Sequence, residues 1–160
     1  YIPLVKTGRL GSVLTPPRTI AANSRPNINL FDTCELNVSV SRDRNKALQF
    51  AKPYVSHMLM SLKQMGFSND EYREIGVEPK QIQTISDSFN NGATVQEAAK
   101  LISDSDVRSC FVAGQPEECK DQILDLMDEA ERLKFGQVSF AKLGPDYGEA
   151  ITLLREEILN

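Results

Sequence analysis

A single histidine, His57, and three widely spaced cysteines, Cys34, Cys110 and Cys119, leave this chain short of metal ligands. No Cys-x-x-Cys pair is present, and an odd number of thiols makes no closed disulfide framework. The cysteines therefore read as small buried hydrophobes, with no metal site expected. Basic excess is also lacking: the formal charge is −4, which argues against nucleic acid or an anionic membrane as the main partner. No run approaches the ~18 apolar residues of a membrane span. The start, YIPLVKTGRL, has neither the charged opening nor the apolar centre of a signal peptide. A soluble, cytoplasmic protein is the expectation. The chain opens on Tyr1 instead of Met, and its first residues read as the end of an apolar strand, so it is expected to be a fragment.

What is present is enough for one core: 160 residues, 41% of them apolar. The stretch from Phe111 to Asp146 reads as turn, helix, strand and turn. Gly114-Gln115-Pro116 opens a helix, since Pro is tolerated in the first turn and Glu117 and Glu118 suit the positive end of the dipole. Cys119, Ile123, Leu126, Met127, Ala130 and Leu133 recur at three- and four-residue steps and form its apolar stripe. Lys120, Asp121, Asp125, Asp128, Glu129 and Arg132 form the solvated side. Gly136 releases the chain into Val138-Ser139-Phe140-Ala141, a strand ending at Gly144-Pro145.

Upstream, Glu35–Ser41 is the clearest strand, with Leu36, Val38 and Val40 on one face and Asn37, Ser39 and Ser41 on the other. Such a strand is half exposed or lines a polar cavity. Ser41-Arg42-Asp43 starts a long helix with an expected inward stripe of Ala47, Phe50, Ala51, Tyr54, Met58, Leu62 and Met65, and an expected kink or break near Lys52, before Pro53. Helices are predicted over Asn69–Ile75, Pro79–Phe89 and Thr94–Ile102, the last opened by the capping box Thr94-Val95-Gln96-Glu97. Asp106–Val112 reads as extended. Beyond Pro145 a final helix is expected to bury Ala150, Ile151, Leu154 and Ile158. Strands alternating with helices favour a parallel sheet.

The chemistry-bearing residues are sparse. The loop Lys6-Thr7-Gly8-Arg9-Leu10-Gly11-Ser12 mixes glycines, hydroxyls and two cations, which suits either an anion site or an ordinary solvated connection. His57 lies in a helical run, where a lone histidine is ordinarily a packing or surface residue. No carboxylate stands out as an acid or base, so no catalytic residue is named.

Taken together, Tyr1-Ile2-Pro3-Leu4, Val38-Ser39-Val40-Ser41-Arg42-Asp43-Arg44-Asn45-Lys46-Ala47, Met65-Gly66-Phe67 with Tyr72 and Gly76, Val112-Ala113-Gly114-Gln115-Pro116-Glu117-Glu118 and Val138–Pro145 resemble the luciferase-like monooxygenase superfamily. The first segment resembles the end of its sixth barrel strand, the second its seventh strand, and the last its eighth. The closest branch is similar to the methylenetetrahydromethanopterin reductases. The resemblance implies an α/β fold, the C-terminal portion of a (β/α)8 TIM-type barrel, with residues 1–160 forming a single partial domain. It also implies a helical excursion, over about residues 67–104, between the last two strands. The implied function is part of an oxidoreductase that transfers hydride between coenzyme F420, or FMN as the alternative, and a small organic substrate. On that basis Lys6, Thr7 and Arg9 are expected at a phosphate or carboxylate and Gly144 at a close backbone approach; for Lys142 two readings stay open, charge near the pocket or, by its phase with Val138 and Phe140, a side chain aimed away from the lumen. Missing strands imply a homo-oligomer or pairing with the missing part of the barrel. Two other readings stay open: a non-catalytic binding or assembly module, and an unrelated α/β enzyme whose phosphate loop is Lys6–Ser12.

Overall fold

The sheet is built around the strand that the alternating pattern marks most clearly. In the computed structural model, which describes residues 2–9 and 33–160, a short helix α1 (Ile2–Lys6) precedes β1 (Thr33–Val40) and a long helix α2 (Arg44–Gln64). Helices α3 (Asn69–Glu74), α4 (Pro79–Asn90), α5 (Val95–Ala99) and α6 (Asp104–Cys110) lead to β2 (Val112–Gly114). Helix α7 (Pro116–Arg132), β3 (Gln137–Ala141) and α8 (Tyr147–Leu153), the last continued by a π turn over Leu154–Ile158, complete the order.

Among the described residues the strands run parallel in the order β2-β1-β3, with β1 between the other two. Val38 pairs with Val112 and Val40 with Gly114, while Cys34 pairs with Val138 and Asn37 with Ala141. Leu36, Val38 and Val40 are buried on one face of β1. They pack with Val112, Cys119, Ile123 and Ala150, so α7 and α8 cover that side. On the opposite face the Ser39 hydroxyl donates to the carbonyl of Ala47 at 2.8 Å, which fixes α2 there. A second core on that side joins Leu48, Val55 and Leu59 of α2 to Ile85, Phe111 and Ala113. A central strand covered on both faces, as β1 is from Val38 to Val40, is the signature of parallel α/β sheets, and the expected fold class is the one observed.

Several local expectations are corrected. Ile2–Lys6 is helical, not extended, with Ile2, Pro3 and Leu4 buried; Pro3 sits in the first turn, where a missing N–H costs nothing. Asp104–Cys110 is also a helix, because Ser103 and Asp106 make a reciprocal capping box; the chain becomes extended at Phe111 and pairs as a strand over Val112–Gly114. The excursion therefore lies between β1 and β2. Helix α2 runs unbroken through Pro53. Its buried face is Ala47, Leu48, Ala51, Val55, Leu59 and Leu62, while Tyr54 and Met65 are exposed and Phe50 and Met58 half-buried. In the last helix Ile151 is exposed and Leu153 is buried in its place. The Thr94–Glu97 capping box is present as expected.

Candidate functional site

The polar face of β1 is covered by α2 at Ser39 but not at Glu35 and Asn37. Those two residues border a cleft of about 700 Å³, within the ~300–1,000 Å³ usual for small-molecule sites. Its wall is α2, which contributes Gln49, Phe50, Pro53, Tyr54, His57 and Met58, with Val95 and Gln96 from α5 and Lys142 from the end of β3. The α2 residues lie one, three and four positions apart, so a single helix face presents both the apolar and the polar part of the wall. Phe50 and Tyr54 are in tilted contact, ring centres 5.4 Å apart, and Tyr54 stacks on the buried Phe111 at 6.2 Å. The wall is therefore anchored to the core.

Lys142 enters through an unusual turn. Strand β3 ends at Ala141, and Lys142 and Leu143 then adopt φ values of 71° and 61°, left-handed conformations that cost non-glycine residues on the order of 1–2 kcal/mol each. The turn is held by the Val40 amide, which donates to the carbonyl of Leu143 at 2.9 Å. It places the Lys142 ammonium 5.1 Å from the centre of the Tyr54 ring, within cation–π range. No carboxylate lies within ion-pair distance of it among the described residues. Glu35, Gln49, His57 and Gln96 likewise make no side-chain hydrogen bond among the described residues. The Oδ1 atom of Asn37 is buried without a partner.

The residues expected at an anion do not line this cleft. Lys6 donates to the carbonyl of Ser109 at 3.3 Å and Thr7 to that of Pro3 at 2.9 Å. Arg9 pairs with Glu71 at 3.2 Å, donates to the Met65 carbonyl at 3.0 Å and lies 4.7 Å over the Phe67 ring. Lys6 and Arg9 fasten α1 and the residues after it to α6 and α3, and Thr7 closes the end of α1 on itself; Leu10, Gly11 and Ser12 lie outside the described residues. Ser109 precedes β2, so Lys6 sits where strands enter the sheet, whereas Gly144 lies where they leave it. Gly144 does make a close backbone approach, but to β1: with φ at 141°, an added Cβ would stand 2.9 Å from the Val40 carbonyl oxygen. Lys142, whose aim the phase of β3 left open, lines the cleft, whereas none of Lys6, Thr7, Arg9 and Gly144 does.

At the carboxyl end of β1 the chain supplies its own anion. Ser41 donates to one carboxylate oxygen of Glu149 at 2.8 Å, and the Arg42 amide to the other at 3.2 Å. All three cysteines are buried and free. Burial pushes the thiols of Cys110 and Cys119 up to about 12 and raises that of Cys34, and among the described residues no cluster could hold a metal ion. Asn37, Tyr54 and Phe50 were not singled out from sequence as site residues. The usable signals were the polar face of β1 and the Phe50–Tyr54–Met58 spacing, which reads equally well as core.

No protein-family model and no curated protein matches the sequence. Among solved structures, the chain is similar to the coenzyme F420 dependent tetrahydromethanopterin reductase from Methanopyrus kandleri, at 23% identity and a TM-score of 0.58. The likeness covers 79% of this chain and 33% of the reductase. The chain spans about a third of that protein's length and has the fold of part of a TIM-barrel-type enzyme.

Proposed function

We propose that the chain is part of a luciferase-like oxidoreductase that uses coenzyme F420, and that the cleft between α2, β1 and Lys142 is its working surface. The observation that carries this is the fold likeness to an F420-dependent reductase over 79% of the chain. The cleft suits the flat ring of such a cofactor: Phe50, Pro53 and Met58 offer an apolar wall, and Asn37 and Lys142 offer polar contacts to a ring edge. For the charged tail the fit is poor, because Lys6, Thr7 and Arg9 are engaged within the protein. A bound deazaflavin would supply the hydride chemistry, while the residues here would orient ring and substrate and exclude water. No acid or base is assigned. No helix among the described residues is long and apolar enough to cross a membrane.

The test is an equilibrium titration of the chain with oxidised F420, followed by the change in the deazaflavin band near about 420 nm, with FMN run in parallel. Saturable binding of F420 that weakens in Phe50→Ala supports the proposal. Binding of FMN with F420 excluded moves it to the monooxygenase branch, and indifference to both rejects it in favour of a non-catalytic module.

A further inference from the structure

The cleft has two chemically different parts. Phe50, Pro53, Met58 and Val95 make one side apolar. The other side is bordered by Asn37, which pairs in register with Ala141, and by Lys142, which the left-handed turn after Ala141 brings to the same cleft. The Lys142 ammonium is positioned over Tyr54 and has no internal anion among the described residues. Oδ1 of Asn37 is buried without a donor; Nδ2 is not buried in that way and makes no hydrogen bond among the described residues, which leaves it accessible where Asn37 borders the cleft. An ammonium and an amide N–H that border one cleft, with no acceptor for either among the described residues, are donors that await an acceptor carrying negative charge.

We infer that the cleft takes an organic monoanion with an apolar body. Its carboxylate lies between the Lys142 ammonium and the Asn37 amide, and its body lies against Phe50, Pro53 and Met58. This names the substrate class of the site proposed above and rests on that proposal only for calling the ligand a substrate. Glu35 sharpens the selection. It sits two residues before Asn37 on the same strand face, roughly 7 Å away at the strand rise, so a second carboxylate on the ligand meets a like charge.

The probe is 2-naphthoate, with neutral 2-naphthamide as its uncharged counterpart, titrated calorimetrically into the chain at low salt without cofactor. The expected result is 2-naphthoate binding at least about tenfold tighter than the amide, as a charge-assisted hydrogen bond gives. Lys142→Gln should erase that preference, and Lys80→Gln, an exposed lysine of α4 outside the cleft, should leave it intact. Equal binding of the two probes, binding of neither, or a preference that survives in Lys142→Gln overturns the inference. Failure of the oxidoreductase proposal is distinguishable: a chain that selects 2-naphthoate but ignores F420 sinks that proposal and keeps this one. The reverse pair of results does the opposite.

Discussion

Gly144 shows how a residue chosen for ligand approach serves the backbone instead. A Cβ at its φ of 141° would press on the Val40 carbonyl at 2.9 Å, and main chain cannot swing aside. Gly144→Ala should therefore cost about 1–3 kcal/mol, the strain and contact terms acting together, read as a lowered urea midpoint. Gly92→Ala is the comparison. With φ at 86° and nothing within 4 Å of the added carbon, it carries the conformational cost alone, about 1 kcal/mol. Equal losses at the two positions would mean that the approach to β1 contributes nothing. The same turn carries Lys142, so Gly144→Ala should also displace the ammonium from the Tyr54 ring and weaken 2-naphthoate.

At the scale of the element, α2 sets two effects of one proline against each other. Pro53 lacks the N–H that would bond the carbonyl of Gln49, yet the helix continues from Arg44 to Gln64 because Ala51, Val55, Leu59 and Leu62 fasten it to the core. Restoring that bond in Pro53→Ala is worth up to about 3 kcal/mol. The freer unfolded chain takes back roughly 0.4–1 kcal/mol, so a net stabilisation of about 2 kcal/mol is expected in urea denaturation, alongside a less apolar cleft wall. A destabilised variant would show that the ring's packing outweighs the missing bond. Helix α6 gives the complementary case. The Asp106 amide donates to the Ser103 hydroxyl at 3.1 Å, and the Ser103 amide donates to Asp106 at 2.9 Å. Ser103→Ala should cost about 1 kcal/mol, measured the same way.

These two elements also mark where the sequence could be read and where it could not. The Thr94–Glu97 capping box and the α7 stripe of Cys119, Ile123, Leu126 and Ala130 are local signals, and they predicted what forms. Residues 106–112 look extended because Val107, Cys110, Phe111 and Val112 are all apolar; the Ser103–Asp106 box that makes part of them helical begins just outside that window. On α2, the spacing of Phe50, Tyr54 and Met58 is as regular as that of Leu48, Val55 and Leu59. Which of two adjacent apolar stripes enters the core depends on where β1 and Phe111 lie, and that is tertiary information. The cleft was legible only as the polar face of one strand.

For the molecule as a whole, the parallel sheet was legible from alternation, whereas the order β2-β1-β3 was not, because β1 gains both neighbours from segments more than seventy residues away. Those distant pairings enclose groups that resist ionisation, and the consequence is a stability that depends on pH. Burial pushes Tyr72 up to about 12, from 10.0, and both Cys110 and Cys119 up to about 12, from 9.0. In the unfolded chain these groups lose their protons at the lower values, so above pH 9 the folded state binds more protons than the unfolded one. Stability must then fall as pH rises. Their contribution is fully present below about pH 9 and lost progressively toward pH 12. On the acid side the sign reverses: capping bonds hold Glu71 and Glu97 below 4.5, and Arg132 does so for Glu129, so their contribution is present above that value and lost as pH falls. Urea midpoints at pH 8, 9.5 and 10.5 should decline in that order. In a Cys110→Ala, Cys119→Ala double variant the decline should be shallower from pH 9 upward, even though the midpoint at pH 8 is lower from lost packing. A parent chain whose midpoint stays level across that range would show that the thiols and Tyr72 reach solvent without unfolding, which the two-sided core around β1 forbids.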